Sequence, residues 1–352
     1  MGSADLKRAR RNWALGLLAG AFALLLLCAG MVYWIDPCFY YRWPSHFQPV
    51  FFNQRYQDAG LAKNCQADTV LLGTSLVANY RVSQVEQTFG GTAVKLTIPD
   101  GYFSEFDETL KTVFRGGSPS RVIFGLDTNI LVRDESEKTS SMPDYLYNAN
   151  PLDDVKYLLN KDTLYYSLYT VMSSRWGTAE TVDEAFTWDK TVWWSKQTAL
   201  AGYERPDVTK ETLPKDAYFA DCDKNLAVLE SWITAHPDTE FDVFFPPYSI
   251  LYWDKMQRTG ATDAVFAAVG RAFTALLYYD NVKVYYFPAQ TDIITNLDNY
   301  GDYIHHSGAV CTKLLQEMKA DEYRITPENA KETLAKLRAF VINYDYESIW
   351  RS

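Results

Sequence analysis

The sequence predicts a three-layer α/β domain on a mostly parallel five-stranded sheet, with a helical insertion, behind one N-terminal membrane-spanning helix. Three observations lead there. A charge-free apolar run lies near the N-terminus, short apolar runs then alternate with helix-compatible stretches, and that rhythm breaks between about 130 and 240.

The apolar run is "WALGLLAGAFALLLLCAGMVYW", residues 13–34, preceded by Lys7, Arg8, Arg10 and Arg11. At ~1.5 Å per residue it reaches across a hydrocarbon core of ~30 Å. Trp13 at one end and Tyr33-Trp34 at the other fit an aromatic belt. The basic tail, residues 1–12, predicts a cytoplasmic N-terminus, which leaves the rest of the chain outside the cytoplasm of a cell whose lipid bilayer holds the anchor. A cleaved signal peptide would have an apolar region of only ~7–15 residues ending in a small-residue site. This run is longer, and Leu27 before Cys28 does not suit lipoprotein cleavage, so an uncleaved anchor is expected. Nothing later reads as a second span.

Residues 35–66 are rich in aromatics and turn residues and read as a stalk, leaving 67–352 as the main domain. There "TVLL", "TAVKLTI" and "RVIFGL" read as strands. Between the last two, "SEFDETLKTVF" sets Phe103, Phe106, Leu110 and Val113 on one helical face with Ser104 as its N-cap. After the insertion the rhythm resumes with "FDVFFPP" at 241–247, a helix from about Thr262 to Tyr278, and "VKVYYFP" at 282–288. Strands and helices at this spacing predict parallel βαβ units with helices on both faces. The final forty residues read as a capping helix.

Composition narrows the function. With 352 residues, 47% hydrophobic and 15% aromatic, the chain can fill a large core. A formal charge of −10 and no basic stripe after the first dozen residues exclude an extended nucleic-acid surface. Cys38, Cys65, Cys222 and Cys311 would face an oxidising side, where disulfides and buried thiols are both open. No CxxC or Cys/His ligand spacing occurs, so no zinc site, and no other metal or cofactor, is expected. With only four histidines, a metal-dependent hydrolase is disfavoured as well.

Ligands of open α/β sheets bind beyond the carboxyl ends of the strands. Gly73-Thr74-Ser75, Pro99-Asp100-Gly101, Gly125 to Asn129 and Pro246 to Ser249 leave those ends, and Asp302-Tyr303-Ile304-His305 follows the last strand. A hydroxyl becomes a nucleophile only when a base takes its proton, and the base needs an orienting partner. Ser75, His305 and Asp302 can fill those roles. Backbone amides near Ser75 and Gly101, with the Asn129 side chain, could hold a developing oxyanion. Alone, Gly-x-Ser after a strand is usually a turn and helix cap, and Asp127 and Asn129 are ordinary turn residues. The placement of all three catalytic candidates at one sheet edge, in Ser…Asp…His order, favours chemistry. His306 points about 100° away from His305 in a helix and reads as a rim residue. His46 and His236 read as structural or exposed. Trp188, Trp193 and Trp194 in the insertion suit sugar rings, but core packing is the expectation.

On "LLGTSL" and "GDYIHHS" the chain resembles the SGNH/GDSL hydrolase superfamily, particularly membrane-anchored extracytoplasmic members such as the D-alanine-transfer protein DltD and the alginate O-acetyltransferases. The resemblance covers about 67–130 and 240–320. It implies a flavodoxin-like arrangement, Ser75 as nucleophile, Asp302 and His305 as the D-x-x-H pair, and Gly101 as the glycine of the second block. Thr74 stands where Asp is common. The third block departs, with Asp127 where the oxyanion Asn belongs and Asn129 two residues later. The implied activity is a serine esterase or O-acyltransferase working on an ester-bearing envelope glycan or acylated polymer. Transfer would call for a membrane acyltransferase partner. The alternative is a non-catalytic envelope assembly or binding protein that keeps the fold.

Overall fold

The computed structural model describes residues 3–43, 47–134, 142–176 and 181–351, and forms two compact units. One comprises Met1–Asn64 and Pro143–Thr181, the other Cys65–Met142 and Val182–Ser352. Helices of eight residues or more are numbered below. His46 lies outside the described residues.

The first unit holds α1 (Ser3–Ile35), α2 (Gln54–Lys63) and, from the later segment, α5 (Lys161–Trp176). Within Ala4–Ile35, an 18-residue stretch of α1 reaches a mean hydropathy of 2.4, and the helix is long and apolar enough to cross a membrane. A tight turn ends it. Asp36 takes a left-handed φ of 54°, and its buried carboxylate accepts hydrogen bonds from the Tyr40, Tyr41 and Arg42 amides and from the Tyr157 hydroxyl. Four donors on one carboxylate offset much of the cost of burying it. Burial nevertheless pushes the Asp36 carboxyl above its ordinary value, against the pull of those bonds.

The second unit is built on six strands, β1 (Thr69–Gly73), β2 (Ala93–Thr97), β3 (Arg121–Gly125), β4 (Glu240–Phe245), β5 (Val282–Tyr286) and β6 (Arg324–Ile325). Their order is β2-β1-β3-β4-β5-β6. The first five run parallel and β6 pairs antiparallel with β5, so the sheet is mixed and six-stranded rather than five-stranded. Two residues are too few to show a strand period, which is why β6 cannot be read from sequence.

Helices α3 (Val82–Phe89), α4 (Phe103–Gly116), α6 (Phe219–Ala235), α7 (Ile250–Arg258), α8 (Thr262–Leu276), α9 (Gly308–Lys319) and α10 (Ala330–Asn343) complete this unit. α3 packs with α9, while α6 packs with α4 and α8. Right-handed crossovers put these two groups on opposite faces. Covered on both sides, β1 and β2 are buried at every residue, the reason β1 reads as a short apolar run rather than an alternating one, while β2 carries a buried Lys95. Helix α4 begins earlier than its serine suggests: Tyr102 is the N-cap, and the Glu105 carboxylate accepts from the Tyr102 amide at 3.0 Å. All five cysteines are unpaired thiols, four of them buried.

Candidate active site

Strand order reverses around β1, whose neighbours are β2 on one side and β3 on the other. Such a reversal opens a crevice beyond the carboxyl ends of β1 and β3. Gly73 and Gly125 end these strands and face each other in register. The chain then folds into a 3-10 turn, Ser75–Val77, whose Val77 side chain is fully buried over both glycines. A Cβ on Gly73 would come within 2.7 Å of Val77 Cγ1, and one on Gly125 within 2.8 Å. Glycine at both ends is therefore a packing requirement of the turn that carries Ser75.

Thr74, not Ser75, caps this turn, since its Oγ1 accepts from the Leu76 amide at 3.3 Å. The same hydroxyl donates to Asp127 Oδ2 at 3.3 Å. At the far end of the turn, the buried Lys95 ammonium on β2 donates to the Ala78 and Tyr80 carbonyls, at 2.5 and 2.6 Å. Charge-assisted bonds of this kind are short and strong. Ser75 thus starts a turn fixed at both ends, with its own hydroxyl left over for other partners.

That hydroxyl lies 2.7 Å from His305 Nε2. Asp302 organises the loop that carries the histidine. Its Oδ1 accepts the Ile304 and His305 amides, both at 2.8 Å, and its Oδ2 accepts from His305 Nδ1 at 2.6 Å. With Nδ1 donating to a carboxylate, Nε2 carries the lone pair and accepts from Ser75. Burial works to raise the Asp302 carboxyl, but the hydrogen bond and electrostatic pull of the His305 ring and the two amide bonds outweigh it and hold it below its ordinary value. Asp302 therefore stays ionised beside the ring.

A strap from the insertion holds this loop in place. The Gly308 amide donates to Asp189 at 2.6 Å, the Lys196 amide donates to Asp298 at 2.8 Å, and a Cβ on Gly301 would meet Val192 at 2.8 Å. Trp188 stands edge-on to the His305 ring at 5.2 Å and packs against Trp194 at 5.4 Å. Asn79, four residues after Ser75, joins the segments. It is buried, its side-chain oxygen accepts from the Trp188 amide and the Thr187 hydroxyl, and its NH2 donates to the His306 carbonyl. Nothing in the sequence around Asn79 marks it out.

The expected oxyanion donors fare unequally. The Gly101 amide is spent in a turn, donating to the Ile98 carbonyl at 3.0 Å. Asp127 is buried, and its carboxylate accepts from the Asn129 amide, the Tyr248 hydroxyl and Thr74. Burial raises its carboxyl above the ordinary value, against the pull of those three bonds and of the Arg133 charge. The Asn129 residue is half-buried, and among the described residues its side-chain carboxamide, unlike its backbone N–H, makes no hydrogen bond. The backbone N–H of Ser75, at the first position of its turn, has no partner within that turn.

His306 is not at the rim. It is buried, its Nδ1 sits 3.5 Å from Cys311 Sγ, and its ring stands edge-on to Tyr80. Burial pushes it down to about 4. A histidine charged in the unfolded chain below about 6.5 but neutral in the folded one stabilises the fold above that pH. That contribution, of order 3 kcal/mol, is lost as pH falls from about 6.5 towards about 4. Asp242, pushed up to about 6 by burial against the pull of Arg121, titrates in an overlapping window with the opposite sign. The expected result is that His306→Leu flattens the fall in stability between pH 6.5 and pH 4 relative to wild type, read by denaturation of the detergent-solubilised chain at a series of pH values. His236 is half-buried and stacks on Phe114 at 3.4 Å.

No protein-family model and no curated protein matches the chain. Among solved structures, it is similar to a protein of Streptococcus pneumonia provisionally described as a platelet activating factor, with 12% identity and a TM-score of 0.38 over 76% of this chain and 89% of that one.

Proposed function

We propose that the protein is a membrane-anchored serine esterase or O-acyltransferase of the SGNH/GDSL type, acting outside the cytoplasm on acyl esters of an envelope glycan or related polymer. The observation that carries this reading is the unbroken hydrogen-bonded chain from Ser75 through His305 to Asp302. Nucleophile, base and orienting carboxylate are each within proton-sharing distance of the next, and the ring's proton is on the side that leaves Nε2 free to accept.

In this mechanism the Ser75 oxygen attacks the acyl carbonyl while its proton passes to His305 Nε2, and Asp302 stabilises the resulting imidazolium. The Ser75 backbone N–H and the Asn129 side-chain amide hold the oxyanion. Collapse expels the alcohol, which takes the proton from Nε2, and leaves Ser75 acylated. Water or a sugar hydroxyl then gives its proton to Nε2 as it takes the acyl group, and the departing Ser75 oxygen recovers that proton from Nε2. Asp127, its carboxylate satisfied by Tyr248, Asn129 and Thr74, supports the loop rather than facing the oxyanion. The anchor and the family resemblance supply the envelope setting.

A fluorophosphonate probe tests the chemistry without knowledge of the substrate. Covalent capture on Ser75 by the full-length protein at neutral pH, lost in His305→Ala, is the expected outcome. No capture at any neutral pH would leave a binding or assembly protein that keeps the fold.

A further inference from the structure

Helix α5 is built inside out. A helix on the surface of a water-soluble protein buries its large apolar side chains and shows water its polar ones. In α5 the buried residues are Thr163, Ser167, Thr170 and Ser173. The exposed ones include Tyr165, Leu168, Tyr169, Met172 and Trp176, with Tyr165 61% and Trp176 69% accessible. Spacings of three and four residues put each set on its own face. No charge occurs from 163 to 174, and Lys161, Asp162 and Arg175 sit at the ends. Outside α1, more than half of the exposed large apolar side chains among the described residues fall within Leu152–Trp176.

The neighbour of α5 says which environment suits such a face. α5 packs against α1 within the same unit. Along α1 the leucines from Leu15 to Leu27 are exposed, and only the carboxyl end is covered, with Val32 and Ile35 buried. α5 therefore docks where the candidate span emerges from the bilayer. Small hydroxyl residues at the contact let two helix backbones approach closely, as in helix pairs within membranes. Tyrosine and tryptophan are the side chains enriched at headgroup depth. Sixteen residues reach only ~24 Å, short of the ~30 Å core, so α5 is not a second span.

We propose that α5 is a second membrane element, lying in the interface of the leaflet from which the carboxyl end of α1 emerges. Its Tyr165, Leu168, Tyr169, Met172 and Trp176 face is immersed at the boundary between headgroups and acyl chains. The inference uses α1 as a span, goes beyond the hydrolase reading, and neither needs nor tests Ser75.

The test is depth measurement by nitroxide accessibility on the full chain in phosphatidylcholine–phosphatidylglycerol vesicles. Cys28→Ser is the background, because the other four cysteines are buried. Labels are placed at Tyr169→Cys and Met172→Cys, with Leu18→Cys on α1 and the exposed Lys210→Cys as references; none of these sites is buried. The expected result is that positions 169 and 172 shift from nickel-favoured to oxygen-favoured relaxation, as at position 18 and unlike position 210. Nickel-favoured values at 169 and 172 with an oxygen-favoured position 18 would overturn the proposal and leave the span intact. A nickel-favoured position 18 would remove the span and the proposal together. Shielding of 169 and 172 from both reagents would mean that protein, such as a second copy of the chain, covers the face, and would also overturn it.

Discussion

Ser75→Ala is expected to lower kcat for para-nitrophenyl acetate, measured on the full-length protein, by about 10⁴–10⁶-fold while leaving the fold intact. The first half follows from chemistry: without Oγ no acyl-enzyme forms, and what remains is binding and oxyanion stabilisation of a water attack. The second half follows from local structure. Thr74 caps the 3-10 turn, Val77 seats it over Gly73 and Gly125, and Lys95 holds its far end. None of these contacts uses the Ser75 hydroxyl. Its loss removes one hydrogen bond to His305, worth about 1 kcal/mol. An unfolding midpoint lowered by no more than about 2–4 °C, with abolished turnover, is the expected pair of readings. Undiminished turnover in Ser75→Ala would place the nucleophile elsewhere and end the proposed mechanism.

The parts of the fold that were legible are those whose environment leaves a mark on consecutive residues. A parallel strand covered on both faces is apolar along most of its length, and "TVLL", "RVIFG" and "FDVFF" read as β1, β3 and β4 for that reason, despite the buried Asp242 in β4. An antiparallel edge of two residues, Arg324–Ile325, leaves no such mark. Ser104 drew the start of α4 too late because a serine near a helix start is an N-cap signal, whereas here Glu105 reaches back to the Tyr102 amide.

The candidate site divides the same way. Ser75 stood out because it follows β1, and Asp302 and His305 because they lie three residues apart; they do not follow the last strand as expected, since short helices separate them from β5 and β6 comes after them. Their support did not. Asn79, Lys95, Asp189 and the Trp188 edge act across separations of up to 227 residues in sequence, through contacts with no period. The burial of His306 is another case: an adjacent pair of histidines looks alike in sequence, while a loop sends one to Ser75 and the other under the strap. α5 was hidden for a different reason. Its tyrosines, leucines and hydroxyl residues fit an ordinary buried helix, and only burial reveals that the small face is the inner one.

The second large effect is expected at Asp302, where the conservative change is the informative one. In Asp302→Asn the side-chain oxygen can keep accepting the Ile304 and His305 amides, which preserves the loop. Its NH2 then faces His305 Nδ1, and two donors cannot share that position, so the ring's proton moves to Nε2. Nε2 then points a hydrogen at Ser75 and can no longer accept from it. A fall in kcat of about 10⁴-fold is expected, with KM little changed because the acyl group and its polymer do not touch Asp302 in the proposed mechanism. The histidine tautomer is directly readable: ring ¹⁵N shifts should report protonated Nδ1 in wild type and protonated Nε2 in the variant. Should the variant keep full kcat with the proton moved, His305 would not be the base that activates Ser75. Should it lose activity with the proton still on Nδ1, the carboxylate would act by stabilising the imidazolium charge rather than by fixing the tautomer.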